Sequence, residues 1–233
     1  MISKELAEIA GIFAADGSIQ KAHLCIWGNI TEDRAYYDQV LTKLFKKEFK
    51  ITPRCHEKRS NSVYGFYICD KKVIKTFNKL GFNAGKKTYT VKIPEKIIKS
   101  NNPEIWTSFI RGFFDGDGCL NFSKRKGTAS QFKKEHHTYP RIFLSSRSFE
   151  LIRQIHKLLT KLEIRATFNI HKPSYEWEKP AAVITIRGVN MLEKWIQLIG
   201  MNNQASFTKY LLWKKQGFCP ANTTLQERFR MIA

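Results

Sequence analysis

The sequence predicts an α+β fold made of two pseudo-symmetric halves, each with the element order αββαββα. Two observations lead to this prediction. The phrases IAGIFAADG (9–17) and IRGFFDGDG (110–118) repeat at a spacing of 101 residues, which overlays Gly11 on Gly112 and Asp16 on Asp117. After each phrase comes the same series of hydrophobic patterns, those of a hairpin, an amphipathic helix, two more strands and a shorter helix.

The later elements of the two halves match less closely but keep the same order. The longer helices are expected in TEDRAYYDQVLTKLFKKEF and SFELIRQIHKLLTKLEI, with Thr31 and Ser148 as N-caps. Strands are expected in KITPRCHEK and VYGFYICD and in IRATFNIHK and AAVITIRG, and the shorter helices end at Gly81 and Gly200. The predicted division is an N-terminal half (1–93), a linker with two prolines (94–103) and a C-terminal half (104–233), whose tail from Ser206 holds one more helix.

The charge balance points to a polyanionic partner. Among 233 residues there are 40 Lys and Arg against 20 Asp and Glu, a formal net charge of +20 that is spread over the whole chain. Neither a secretory signal nor an apolar run of the ~20 residues that a membrane span needs is found, so nucleic acid is favoured over a membrane surface. The five cysteines are odd in number and form no C-x-x-C pair, which favours an intracellular, reducing compartment, with cytoplasm, nucleoid and organelle matrix all left open.

Small residues recur at every fourth position of the repeated phrase. They are Ala7, Gly11 and Ala15 in the first copy, and Ser108, Gly112 and Gly116 in the second. On a helix this spacing forms one flat strip, and two such strips let two helix backbones approach closely. Glycine inside a helix costs about 0.5–1 kcal/mol relative to alanine, so close contact between the two helices is the expected compensation.

Helices paired along these strips would bring Asp16 and Asp117 side by side at their C-terminal ends. Two neighbouring carboxylates repel each other, and each would also lie at the negative end of a helix dipole. A bound divalent cation offsets both costs, because hard cations take oxygen ligands, and such an ion suits phosphodiester hydrolysis. An isolated Asp-Gly after a helix is more often a simple turn, but the repeat in a strongly basic chain favours the metal interpretation.

The two phrases resemble the nine-residue motif of the LAGLIDADG homing endonuclease family, and the resemblance covers nearly the whole chain. Two copies in one chain look like the single-chain, pseudo-twofold, monomeric form of that family. The resemblance implies saddle-shaped antiparallel sheets in the DNA major grooves, with the motif helices packed at the interface. It also implies double-strand cleavage across the minor groove of a double-stranded DNA target, short 3′ overhangs and a requirement for Mg²⁺ (or Mn²⁺).

The resemblance further assigns candidate site residues. Asp16 and Asp117 match the final acid of the motif, the metal ligand, and the preceding Ala15 and Gly116 belong to the same metal sites. Ala14 departs from the family's usual acid, which Asp115 retains. Candidate residues that order water near the scissile phosphates are Asn29 and Ser146 at strand ends, and Lys86, Lys87 and Gln204 after the last helix of each half. The second half has no lysine there, so unequal active sites are expected.

Strand alternation predicts polar faces that suit DNA bases and phosphates, although any one of them could also be an ordinary solvated face. Arg, His, Asn, Gln and Thr prevail on these faces over acids. The basic loop 123–137 is either an arm that DNA orders or a disordered loop. The candidate DNA contacts are Ser18, Gln20, His23, Trp27, Arg54, His56, Lys58, Asn121, Arg125, Lys126, Arg141, Arg165, Thr167, Asn169, His171 and Arg187.

The leading hypothesis is a free-standing endonuclease that takes part in intron homing and is itself intron-encoded. The chain ends lack the residues for protein splicing, so an intein is not expected. A non-cleaving binder of the same fold, such as an RNA maturase or a DNA-binding regulator, is the alternative. Retention of both Asp16 and Asp117 favours the nuclease, while a maturase could also keep both acids. A basic structural protein or membrane-surface binder leaves the paired motif unexplained.

Overall fold

The computed structural model describes residues 2–58, 60, 62–124, 136–173, 175 and 177–233. Its N-terminal half contains one antiparallel sheet with the strand order β1-β2-β4-β3, and helices cover one face of it. The elements are α1 (Lys4–Asp16), β1 (Gly17–Ile19), β2 (Leu24–Asn29), α2 (Arg34–Tyr36), a π-helical turn (Tyr37–Leu41), α3 (Thr42–Phe49), β3 (His56–Lys58), β4 (Val63–Ile68) and α4 (Lys71–Lys79).

The C-terminal half repeats this arrangement in a second antiparallel sheet with the order β5-β6-β8-β7, which confirms the predicted fold class. A short helix precedes it, and two helices follow. The elements are α5 (Glu95–Ile98), α6 (Pro103–Asp117), β5 (Gly118–Ser123), β6 (Tyr139–Ser146), α7 (Phe149–Lys161), β7 (Ala166–His171), β8 (Ala181–Arg187), α8 (Val189–Leu198), α9 (Gln204–Gln216) and α10 (Leu225–Ile232). In the described ranges no helix is both long and apolar enough to cross a membrane.

Most predicted helix ends are confirmed, and one is wrong. Ser148 caps α7 by accepting a hydrogen bond from the Leu151 amide, and Gly81 and Gly200 adopt the positive φ that follows a helix C-terminus. Thr31 caps no helix, because the carboxamide oxygen of Asn29 accepts hydrogen bonds from the amides of Thr31 and Glu32. These bonds form a turn after β2, and helical structure begins only at Arg34.

One predicted strand boundary also needs correction, and the predicted linker contains a helix. The strand expected in KITPRCHEK begins only at His56, so Arg54 precedes the sheet; Pro53 has no amide hydrogen for a strand ladder and is buried instead. The linker 94–103 is largely folded: it contains α5, whose Ile97 is fully buried, and Pro103 is already the first residue of α6. Pro fits that position because the first helical amide needs no partner within the helix.

Helices α1 and α6 pack against each other at the centre of the molecule. A Cβ added to Gly11 would lie 2.1 Å from the Phe109 carbonyl oxygen, and one added to Gly112 would lie 2.1 Å from the Glu8 carbonyl oxygen. Phe109 follows Glu8 by the same 101 residues that separate the two glycines. The contact is therefore reciprocal, backbone against backbone, as the small-residue strips predict.

Candidate active site

The two motif aspartates are the last residues of α1 and α6, and each is followed by a glycine that begins the first strand of its half. Ser3 and Asn102 cap the opposite ends of these helices, so both helices run in the same direction from cap to acid. A Cβ added to Gly116 would lie 2.9 Å from the Oδ2 atom of Asp16. The carboxylate of Asp16 therefore lies against the end of the partner helix, next to the position of Asp117.

The pKa values of the Asp16 and Asp117 carboxyl groups reflect their position at the junction of the two helices. Burial raises the pKa of Asp16 to about 8, and the charges of Asp117 and Asp33 add to the rise, while Lys87 opposes it. Burial also raises the pKa of Asp117, with Lys87 again acting in the opposite direction, although the side chain keeps contact with solvent. Loss of hydration and mutual repulsion both disfavour two negative charges at this point.

Lys87 is the basic residue most closely engaged with the end of α1. Its Nζ donates hydrogen bonds to the carbonyl oxygens of Ala14 at 2.5 Å and of Ala15 at 2.9 Å. Helix C-termini leave such carbonyls without an intrahelical partner, and they carry partial negative charge. Burial lowers the pKa of Lys87 to about 8, whereas Asp117 and Asp16 act to raise it. The ammonium group thus caps main-chain oxygens rather than forming an ion pair with either carboxylate.

A cavity of about 490 Å³ opens beside these groups. It brings together candidate residues from both halves, and a cation has room between the acids and bulk solvent. Ser146, at the end of β6, lies on its wall and accepts a hydrogen bond from the Ser148 amide at 3.1 Å. Arg147 was missed by the sequence analysis, although it directly follows Ser146. The predicted residues on the wall are Ala15, Asp16, Ser18, Lys86, Lys87, Asp117 and Ser146.

The structure does not bring Asn29 and Gln204 into this cavity. The side-chain oxygen of Asn29 is occupied by the turn after β2, and the Nε2 of Gln204 donates to Gln39 at 3.3 Å. Asn203, the N-cap of α9, lies closer to the motif helices than Gln204 does. Its Nδ2 donates to the Asp115 carbonyl oxygen at 2.9 Å and to Oδ1 of Asp33 at 2.7 Å.

The acid at the variable motif position has a structural role in the second half. Asp115 is buried, and its carboxylate accepts hydrogen bonds from the backbone amides of Asn202 and Asn203. Burial raises the pKa of Asp115 to about 8, and these two backbone hydrogen bonds oppose the rise. Asp115 thereby fixes the loop that presents Asn203, a function that Ala14 cannot perform in the first half.

The donor set at the helix ends fits a hard divalent cation. It consists of the carboxylates of Asp16 and Asp117 and the carbonyl group of Gly116, all of them oxygen donors, whereas the predicted donor Ala15 has its carbonyl oxygen hydrogen-bonded to Nζ of Lys87. Within the described ranges no three His, Cys, Asp or Glu side chains form a metal-binding group. Such a cation would therefore take its remaining ligands from water or from phosphate oxygens, as ions with few protein ligands do.

Most of the described residues predicted to face DNA lie on or beside the open faces of the two sheets, and Arg54 is exposed ahead of β3. In the first sheet, Nζ of Lys58 lies 4.1 Å from the ring centre of Trp27, and the Trp27 ring meets His56 edge to face. In the second sheet, Arg165, Thr167, Asn169 and His171 are exposed along or beside β7. Ser18, Gln20, His23, Asn121, Arg141 and Arg187 are also exposed or half-buried. Arg125 and Lys126 lie outside the described residues.

Comparisons with known proteins agree with this arrangement. A profile of the LAGLIDADG-like domain matches residues 104–209. The chain is 33% identical over 120 residues to the replication factor C small subunit of Methanocaldococcus jannaschii, and 27% identical over 124 residues to an A-type ATP synthase subunit of Pyrococcus abyssi. These matches cover 51% and 53% of this chain but only 6% and 12% of the two relatives, so the chain spans a small part of their length.

Solved structures share the fold. The homing endonuclease I-DmoI in complex with DNA and Mn superposes with a TM-score of 0.56 at 13% identity, covering 84% of this chain and 96% of that one. The meganuclease I-SmaMI bound to uncleaveable DNA gives a TM-score of 0.56 at 14% identity, covering 91% and 90%. Fold and site define a single-chain protein of two αββαββα repeats, joined by helices that bring two aspartates together. Residues 104–209 form a LAGLIDADG-like domain, and the chain shares its fold with single-chain homing endonucleases.

Proposed function

We propose that this protein is a site-specific homing endonuclease that makes a double-strand break in a long DNA target. The observation that carries the proposal is the convergence of Asp16 and Asp117, beside Lys87, in an open cavity at the junction of two basic halves. The reaction is metal-dependent hydrolysis of one phosphodiester in each strand, which leaves short 3′ overhangs. The similar structures of I-DmoI with DNA and Mn support a DNA substrate and a divalent metal ion.

Mg²⁺ (or Mn²⁺) would be held by Asp16 and Asp117, with the main chain of Ala15 and Gly116 close by. When bound, the metal supplies charge for the scissile phosphate and lowers the pKa of a water molecule. Lys87 holds a positive charge at the end of α1, where it opposes the negative charge that develops on the phosphate. Ser146 and Arg147 offer a hydroxyl and a guanidinium to the same phosphate group from the opposite half.

Both halves of the DNA-binding surface belong to one chain, which supports action as a monomer. The net charge of +20 matches a polyanion, and neutralisation of several phosphates makes affinity fall steeply with salt. Encoding by a mobile intron is part of the proposal. The alternative from the sequence, a binder without cleavage, has the same surface but no use for two neighbouring carboxylates that raise each other's cost of ionisation.

A cleavage assay tests the proposal. DNA that spans the candidate intron insertion site is incubated with the protein, with and without Mg²⁺. Linear product that forms only with metal is expected, and Asp16→Asn or Asp117→Asn is expected to abolish double-strand cleavage while sequence-specific binding survives. Specific binding without cutting by the unmutated protein would favour the non-cleaving binder instead. Full cutting by both variants would eliminate the metal role of these acids.

A further inference from the structure

A row of polar side chains crosses the open face of the second sheet. Asn121 of β5 pairs with Arg141 of β6, and Arg141 pairs in turn with Arg187 of β8. The alternating neighbours Phe122, Ile142 and Ile186 are buried, so the row itself lies on the open face. Neighbouring strands lie about 4.8 Å apart, and the row therefore extends over about 10 Å. We name Asn121, Arg141 and Arg187 the arginine row.

The two guanidinium groups of this row have no acidic partner among the described residues. Like charges directly opposite each other on neighbouring strands are destabilising. Over the described ranges neither Arg141 nor Arg187 forms an ion pair. The Nε atom of Arg141 is buried without a hydrogen-bond partner, while Arg187 donates to the Thr167 hydroxyl at 3.3 Å. In the free protein, the repulsion between the two guanidinium groups and the unpartnered Nε of Arg141 cost free energy. A ligand rich in hydrogen-bond acceptors would offset this cost by binding both groups.

The corresponding positions of the first half carry no arginine or lysine. The strand registers match between the two sheets. The cross-strand pair Gly17 and Ile26 corresponds to Gly118 and Leu144. The pair Ile26 and Phe66 corresponds to Leu144 and Ile184. Counting equal steps from these matched pairs places Gln20, His23 and Cys69 at the positions of the arginine row, each one residue beyond the end of its strand. The two halves share a backbone frame but offer different chemistry at the same distance from the catalytic acids.

We propose that Arg141 and Arg187 read guanine in one half of the DNA target, and that the equivalent position of the other half carries no such requirement. The inference rests on the proposed function and deepens it by naming the bases. Guanine presents two acceptors, O6 and N7, to the major groove, and a guanidinium group matches them with two parallel donors. Because Thr167 orients Arg187 along the sheet, part of the entropic cost of ordering this side chain is already met.

The register also gives the position of the guanines. Ser146 lines the catalytic cavity, and Arg141 precedes it by five residues on β6. At about 3.4 Å per residue this is about 17 Å along the strand. The rise of B-DNA is about 3.4 Å per nucleotide, so the distance corresponds to about five base pairs. The guanine requirement is therefore expected about five base pairs from the cleaved position, on one side only.

Selection from a DNA library randomised in both half-sites tests this inference, with the unmutated protein and without divalent metal so that the DNA stays intact. Guanine should be enriched in one half-site at the stated position. Replacing it with 7-deazaguanine, which lacks the N7 acceptor but keeps O6, should weaken binding by less than the about 5- to 150-fold discrimination of a complete two-bond arginine–guanine contact. Specific sequences without this guanine would overturn the inference and leave the endonuclease proposal intact.

Variants separate base reading from phosphate contact. Arg187→Gln and Arg141→Gln should lose the guanine preference, and glutamine should shift it towards adenine. The matched control is His23→Gln in the first sheet, which should leave that preference unchanged. A uniform loss of affinity for all sequences would instead assign the arginines to phosphates and refute base reading. Thermal unfolding confirms that each variant folds, and failure of the unmutated protein to select any sequence would count against the proposed function itself.

Discussion

Lys87 and Asn203 occupy equivalent places at the ends of the two motif helices. The Nζ of Lys87 donates to the Ala14 carbonyl oxygen, and the Nδ2 of Asn203 donates to the Asp115 carbonyl oxygen. Ala14 and Asp115 are themselves 101 residues apart, the spacing of the repeat. One end of the candidate active site therefore has a half-buried ammonium group where the other has a neutral amide. The asymmetry expected from the sequence lies in this pair, with Asn203 in the place that the sequence analysis gave to Gln204.

Replacement of Lys87 by methionine should slow cleavage of one strand more than the other. The ammonium group is the charged donor at one helix end only, and loss of one such stabilising donor typically costs about 10²–10³-fold in rate. A supercoiled plasmid that carries the target should then accumulate as the nicked circle before it becomes linear. Lys86→Met, at the exposed neighbour on the same cavity wall, is the control and should have a much smaller effect. Equal slowing of both strands by Lys87→Met would contradict the assignment.

Divalent metal binding to the DNA-free protein should strengthen as pH rises towards about 8. The pKa of Asp16 is raised to about 8, so below that pH a metal ion must displace a proton from this carboxyl group. One displaced proton gives at most about a tenfold gain in affinity per pH unit. Titration of Mn²⁺ by electron paramagnetic resonance between pH 6 and 9 measures the slope, and Asp16→Asn should remove it. A pH-independent affinity of the unmutated protein would refute this coupling.

The same group should make the metal-free fold less stable as pH rises. Between its ordinary pKa of 3.8 and the raised value of about 8, the carboxyl of Asp16 is protonated in the folded state and ionised in the unfolded state. Its contribution to stability is therefore complete below pH 4 and is lost as pH rises through 8. Thermal unfolding should show Mg²⁺ raising Tm more at pH 8.5 than at pH 5. An equal rise of Tm at both pH values would show that Asp16 does not control the metal site.

Alanine at Gly11 or Gly112 should destabilise the whole molecule by about 3 kcal/mol, because the added Cβ would lie 2.1 Å from a carbonyl oxygen of the facing helix. The reciprocal geometry predicts similar losses at the two sites. Gly81→Ala is the control: its Cβ meets nothing within 4 Å, so only the positive φ of 92° opposes it, at about 1–2 kcal/mol. Urea unfolding measures all three. Losses at Gly11 no larger than at Gly81 would show that the helices can separate without cost.

The repeat in the sequence was sufficient to predict the element order and the helix interface, because small-residue spacing and hydrophobic period are local properties. Pairings between remote segments were not predictable in the same way. Thr31 was a reasonable cap by residue type, but Asn29 forms a competing turn two residues earlier. Asn203 and Asp33 are 170 residues apart, and only the folded chain shows that their side chains meet. Arg228, in a tail given no function by the sequence analysis, is another such case.

Arg228 should anchor the C-terminal helix α10 to both halves. Its guanidinium group is almost fully buried and donates to the Thr208 hydroxyl at 3.0 Å, to the Ala205 carbonyl at 3.2 Å, to the Thr223 carbonyl and to Glu32 of the N-terminal half at 3.1 Å. Arg228→Met should therefore cost about 3 kcal/mol, as does the loss of one partner from a buried ionic contact. Arg230→Met, on the exposed face of the same helix, should cost less than about 0.5 kcal/mol.

Urea unfolding gives the free energies of unfolding of both variants. Hydrogen exchange should show faster exchange of the amides of residues 225–232 in Arg228→Met alone. Unchanged protection of that segment in Arg228→Met would show that apolar contacts, and not the guanidinium network, hold α10 in place.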